Sequence, residues 1–323
     1  MMNINDKLAF GGLLNLDKNS VAIREQQILD GYRIHTCYFY NQSLDVIKEA
    51  SKQVSLTPIL TTKVYYNFRE NSNKGRHKSV LKQVELIIER LGFIPRSWNI
   101  QLCNIQKINQ IESDDFFIFK EKLEANFGPT PLFIESFIPT EKAIIQAVDK
   151  GLVDGITFKE SAFESKSTYK LRAYLKGKNI KYSTYGFLSG ISDNYINENL
   201  NSTHREVYDS AIRSLNISNP LDINISYLKS QMKLAHYSYG VTAVSSMKNY
   251  NDLINRVKTA KTLSQNQLES IEKVIQTFQR RLSLSNDYRT YLTRKSSPSD
   301  IAKHPLRLFR KKIQDLLDAK SWI

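Results

Sequence analysis

Two cysteines in 323 residues, Cys37 and Cys103, are too few for a disulfide framework or a thiolate metal site, so reduced thiols are expected. No apolar run approaches the roughly 20 residues that a membrane helix needs. The opening MMNINDKLAF lacks the charged-then-apolar pattern of an export signal, and a cytoplasmic protein is the expectation. The chain also has no P-loop, HExxH, CxxC or GxSxG, which excludes the commonest phosphate, zinc, dithiol and serine-nucleophile chemistries. No GxGxxG follows the first strand-like run, which weighs against an open dinucleotide-binding sheet.

What the chain does have is an apolar fraction of 41%, enough for a large core, and a formal net charge of +14. The charge is uneven: Gln276–Ile323 holds 11 Lys+Arg against 4 Asp+Glu, half of the excess in about a seventh of the chain. Such a stretch either attracts a polyanion, nucleic acid or an acidic protein partner, or is simply a solvated face. Within it, Leu306, Phe309, Ile313 and Leu316 recur at helical spacing with Arg307, Arg310, Lys311 and Lys312 on the other side.

Ahead of that segment, short β-like runs alternate with helical patterns about eight times. The runs are Leu8–Gly12, Ile34–Cys37, Pro58–Val64, Asn99–Asn104, Leu132–Phe137, Asp154–Lys159, Lys181–Tyr185 and Val241–Ser246. Helices are expected after each, among them Ser79–Leu91 stopped by Gly92 and Asp114–Asn126 stopped by Gly128. Strands separated by helices must pair in parallel, and eight units predict closure into a (β/α)8 TIM barrel with extra C-terminal helices. The expected division is a barrel over residues 1–275 and a basic helical extension over 276–323. Ser264 and Gln267 form a capping-box pattern where the post-barrel helix should begin. The Asn/Ser-rich stretch Ser192–Asn219 has no clear periodicity.

In such barrels the chemistry gathers where strands end, which draws attention to His35, Tyr40, Lys63, Cys103, Asn104, Ser136, Thr157, Tyr182, Ser183, Ser245 and Ser246. The order LAFGG, IHTCYFYNQS, TTKV, ERLGF…NIQLCN, KYSTYGFLSGI and VTAVSSMKNYNDLINRV…LSQNQLESI resembles the aldo-keto reductases over about residues 7–275. The resemblance implies a barrel in which a tyrosine phenol protonates a carbonyl while a nicotinamide, NADP or NAD, delivers hydride. It puts Tyr40 at the acid position and Lys63 at the lysine that lowers the phenol's pKa. It also puts His35 where the family has the aspartate that holds the lysine, and Cys103, or Asn104 one residue on, where it has a histidine.

For the cofactor the resemblance implies contacts from Ser136, Thr157, Tyr182 (stacked under the nicotinamide), Ser183, Ser246 and Lys248. Phe137 replaces a family amide, and Asp252 stands where NADP-preferring members place an arginine. Plainer readings stand beside these: Tyr40 as barrel-mouth packing, and Cys103 as a small core residue. A Cys-His nucleophile would lack an orienting third group. Two functions are therefore expected. One is a barrel with a degenerate catalytic and cofactor site, binding no cofactor and acting as a binding or scaffold component through its basic extension. The other is an NAD(P)H-dependent carbonyl reductase using Tyr40 and Lys63.

Overall fold

The computed structural model describes residues 4–12, 14–37, 40–66, 73–103, 113–136, 141–160, 166–186, 213, 220–264 and 266–270. At Cys103 and Ser136, among others, it describes the backbone alone. Eight strands, β1 (Leu8–Gly11), β2 (Arg33–Cys37), β3 (Ile59–Tyr65), β4 (Ser97–Cys103), β5 (Leu132–Ser136), β6 (Gly155–Lys159), β7 (Lys181–Tyr185) and β8 (Tyr237–Ala243), pair in parallel in chain order. Pairing of β1 with β8 closes the barrel. The helices are α1 (Lys18–Leu29), α2 (Asn41–Val54), α3 (Asn73–Leu91), α4 (Ser113–Phe127), α5 (Glu141–Asp149), α6 (Lys166–Gly177), α7 (Pro220–Met232) and α8 (Met247–Thr259).

Local signals set the boundaries. The Asp17 carboxylate accepts the Ser20 N–H at 2.8 Å and caps α1. The helices α3 and α4 stop at Gly92 and Gly128, both at φ +75°, a conformation glycine adopts without a Cβ clash. At the other end of the barrel sequence, Ser264 Oγ accepts the Gln267 N–H at 3.3 Å while Gln267 Oε1 accepts the Ser264 N–H at 2.9 Å, completing the capping box. The basic extension 276–323, the stretch Ser192–Asn219 (Arg213 excepted), Asn104 and Phe137 lie outside the described residues.

Strand alternation divides the sheet into two environments. Leu8, Phe10, Ile34, Leu60, Ile100, Leu102, Leu132, Ile134, Ile156 and Phe158 turn outward and form the main core with the helices. The opposite parity fills the barrel itself, and there the side chains are largely polar. Arg33 donates to Asn99 Oδ1 at 3.0 Å and lies over the Tyr239 ring, whose hydroxyl meets Asn99 Nδ2 at 3.0 Å and Thr61 Oγ1 at 3.1 Å. These contacts join β2, β3, β4 and β8, and contacts that skip strands are possible only across the interior. Gly155 makes room for Phe133 in the same space: a Cβ there would fall 2.4 Å from the ring.

Strand β8 departs from expectation by starting at Tyr237 rather than Val241. Its register against β7 runs Tyr182 to Tyr237 but Thr184 to Gly240, so β8 holds one extra residue. That bulge lets Tyr237 pack outward on Tyr182 while Tyr239, only two residues on, points inward.

Candidate active site

Register places Cys37 at the end of β2 beside Lys63 of β3 and Gln101 of β4, the last two each lying two residues short of a strand end. Lys63 points into the barrel mouth with 12% of its side chain exposed. Its Nζ lies 2.6 Å from Oε1 of Glu135 on β5, a carboxylate with no exposed side-chain surface. The same ammonium sits 5.5 Å from the centroid of the Tyr185 ring at the end of β7. A buried carboxylate, a cation and an aromatic face therefore meet at one point on the rim.

Glu135 changes the account of Lys63. The sequence implied that a histidine in place of the family aspartate leaves this lysine without an orienting counter-charge. The carboxylate is supplied instead by β5, on the far side of β4, rather than by β2. Its signal was present in LFIES, where Glu135 breaks an apolar strand, but side chains meeting from strands two apart is a property of the folded barrel and not of local sequence.

His35 is not a rim residue. It is 4% exposed, and its Nε2 lies 2.7 Å from Gln101 Oε1 within the barrel. Burial pushes its pKa down to about 3, the Lys63 charge adds to that depression, and the Gln101 hydrogen bond opposes it without reversing it. His35 is therefore neutral at physiological pH and does not repel Lys63 as an imidazolium would.

Tyr40 lies beyond the strand. Strand β2 ends at Cys37, and Tyr40 is the residue before α2, half-buried, with φ −89° and ψ 66°. Its N–H donates to Cys37 O at 2.8 Å and its carbonyl accepts the Leu44 N–H at 3.1 Å. It thus stands on the strand-to-helix turn, at the same end of the barrel as Lys63.

Three of the residues assigned to the cofactor lie elsewhere. Tyr182 faces the helices: its ring stacks on Phe158 and its hydroxyl donates to Gln231 Oε1 of α7 at 2.9 Å. Thr157 and Ser183 face inward but are buried, and their hydroxyls bond each other at 2.7 Å. The tyrosine that β7 turns into the barrel at its rim is Tyr185, packed beside Phe133, Tyr239 and Val241. Period-2 alternation separates Tyr182 from Tyr185, since three residues apart on a strand means opposite faces.

At the eighth unit, Ser246 caps α8 by accepting the Asn249 N–H at 3.1 Å, and Lys248 is exposed beside it. This helix start fits an anionic phosphate. Asp252 is held by Arg256 at 2.9 Å, and Arg256 also reaches Asp222, so its carboxylate does not face a ligand alone. The phosphate end of a dinucleotide therefore has a fitting partner in Ser246 and Lys248, and Tyr185 offers a ring at the mouth. Among the described residues no group of three His, Cys, Asp or Glu could hold a metal ion, and no helix is long and apolar enough to cross a membrane.

The fold and the rim together define a parallel (β/α)8 barrel whose mouth carries a lysine held by a buried carboxylate. No family model and no curated protein matches the chain. Solved structures do, and the fold is that of the aldo-keto reductases. An aldo-keto reductase from Bacillus halodurans matches with 16% identity over 83% of this chain and 91% of that one, at TM-scores of 0.63 in its apo form and 0.65 in its holo form. An aldo/keto reductase from Brucella melitensis matches with 13% identity over 83% and 94%, at 0.54.

Proposed function

We propose that the chain is a carbonyl reductase of the aldo-keto type, with Tyr40 as proton donor and Lys63 as the cation that tunes it. The supporting observation is the ion pair between Lys63 and Glu135. Burying a carboxylate costs several kcal/mol of lost hydration, which an incidental surface pairing would not repay. A rim that had lost its function would be under no demand to keep such a pair. A phenol near pKa 10 is a weak acid at neutral pH, and an adjacent ammonium stabilises the phenolate it leaves behind. Glu135 fixes that ammonium in place. Hydride would come from NADPH or NADH when bound, with the phosphate end at Ser246 and Lys248.

Titration of the purified protein with NADPH and NADH by nicotinamide fluorescence tests this directly. Micromolar binding with Tyr40-dependent reduction of 4-nitrobenzaldehyde is expected, and Tyr40→Phe should remove turnover while leaving cofactor binding intact. No binding at millimolar cofactor refutes the reading.

A second reading is favoured by Thr157 and Ser183 bonding each other and by Tyr182 facing the helices. In it the barrel no longer grips a cofactor and serves as a binding or scaffold component, with 276–323 contacting nucleic acid or an acidic protein. Deleting 297–323 should then abolish salt-sensitive polyanion binding, and unchanged binding rejects it.

A further inference from the structure

Basic residues gather at the end of the barrel opposite the mouth. Three stretches, 170–181, 229–236 and 256–261, hold ten Lys and Arg between them and no Asp or Glu. They span the C-terminal ends of α6, α7 and α8 and the turns that follow, and folding sets them along one edge. The Tyr182 N–H donates to His236 O at 2.9 Å, which joins the start of β7 to the turn before β8. Lys229 Nζ donates to Lys258 O and Ala260 O, each at 2.7 Å, and Lys233 Nζ donates to Thr262 Oγ1 at 3.1 Å. The end of α7 therefore lies against the end of α8. Lys7 stands on the same edge, where its ammonium donates to Tyr237 O.

The chain's own acids neutralise few of these charges. Arg172 pairs with Glu160, Lys178 with Asp149, and Arg256 with Asp222 and Asp252. Among the described residues, Lys176, Lys181, Lys229, Lys233, Lys258 and Lys261 form no ion pair, and all but Lys229 are exposed. The crowding registers where a lysine is partly buried. Burial lowers the Lys7 and Lys229 pKa values, Lys181 and Lys233 respectively lower them further, and Asp6 opposes the shift at Lys7. An edge that holds like charges together gains from a polyanion that spans them.

The side chains missing from this edge narrow the class of partner. Among the described residues Leu234 is its only large exposed apolar side chain. The edge therefore has neither the apolar centre of a protein interface nor the inserting side chains of a bilayer anchor. Its rings are committed as well: Tyr182 and Tyr237 are buried, and Tyr174 bonds Asp149 with the Lys178 ammonium 5.8 Å from its centroid. That leaves no platform for unstacked bases. Ammonium groups at several points along one edge suit phosphates read without regard to sequence. We infer that this edge binds the phosphate backbone of duplex nucleic acid. The contact lies on the barrel itself, apart from both the mouth and 276–323, and does not rest on the reductase reading.

Fluorescence anisotropy of a labelled DNA duplex of about two helical turns, titrated with the full chain across a range of KCl concentrations, tests this. Changing Lys176, Lys181, Lys233 and Lys258 together to Gln should weaken binding at least about tenfold near 0.1 M salt and flatten the slope of log K against log salt by about 3–4. Lys181→Gln alone should flatten it by about one, so the test holds even where the fourfold variant fails to fold. Arg at the same four positions should bind as the unchanged chain does. Neutralising Arg307, Arg310, Lys311 and Lys312 instead should leave most of the affinity, which separates this site from a contact through 276–323. No duplex binding by the unchanged chain, an unaltered slope in the Gln variants, or loss of all binding on changing 307–312 alone each overturns the inference. Preference for phosphatidylserine vesicles or polyglutamate over the duplex overturns it too.

Discussion

Removing either half of the Lys63–Glu135 pair should cost far more than removing both. In Glu135→Gln the Lys63 ammonium, 12% exposed, loses its partner at 2.6 Å but keeps a neutral acceptor. In Lys63→Met the Glu135 carboxylate, with no exposed surface, is left charged or must take up a proton. Breaking a buried pair from one side typically costs about 3–5 kcal/mol, whereas replacing the whole pair with apolar or neutral groups is often near neutral. We expect about 2–3 kcal/mol for Glu135→Gln, about 3–4 kcal/mol for Lys63→Met, and a double variant no worse than the milder single, a coupling of at least about 3 kcal/mol. At about 2.1 cal/mol/K per residue over 323 residues, a 3 kcal/mol loss lowers the melting midpoint by about 4–5 °C. Thermal and urea unfolding by far-UV circular dichroism reads all four proteins. Additivity within about 0.5 kcal/mol would show that the pair does not interact and would remove the observation on which the function rests.

Three further outcomes follow from the same fold. His35 titrates near 3 when folded against 6.5 when unfolded, so the unfolded chain binds a proton that the folded one refuses. Its contribution is whole above pH 6.5 and declines as pH falls, by about 2 kcal/mol at pH 5 and about 4 kcal/mol at pH 3. His35→Gln should flatten unfolding free energy between pH 7 and 5, and an unchanged slope refutes the assignment. Gly155→Ala drives a Cβ to within 2.4 Å of Phe133 and should destabilise by about 2 kcal/mol in urea, partly recovered by Phe133→Leu. Tyr182→Phe should cost about 1 kcal/mol through the lost Gln231 hydrogen bond and leave nicotinamide affinity unaltered; a drop in affinity would place its ring at the mouth after all.

Sequence periodicity carried the architecture well because it is a local property. The stop glycines Gly92 and Gly128, the Ser264–Gln267 box and the eightfold strand-helix alternation each rest on neighbours within a few residues. The rim lysine was equally legible, since Lys63 stands in the segment TTKV that carries the family resemblance. Facing was less so. Tyr182 and Tyr185 are both tyrosines on one short strand, and only the register and the β8 bulge show which one enters the barrel. His35, Thr157 and Ser183 read as rim residues but sit inside, because their strands continue past them.

The residues themselves pointed to a closed parallel barrel, and the family resemblance singled out Tyr40 and Lys63 as a candidate pair. They could not determine what holds Lys63. That was decided when folding brought β3 and β5 to one side of a common interior, where a carboxylate 72 positions away becomes its partner. Coulomb attraction depends on distance in space and on the exclusion of water, and neither is written along the chain.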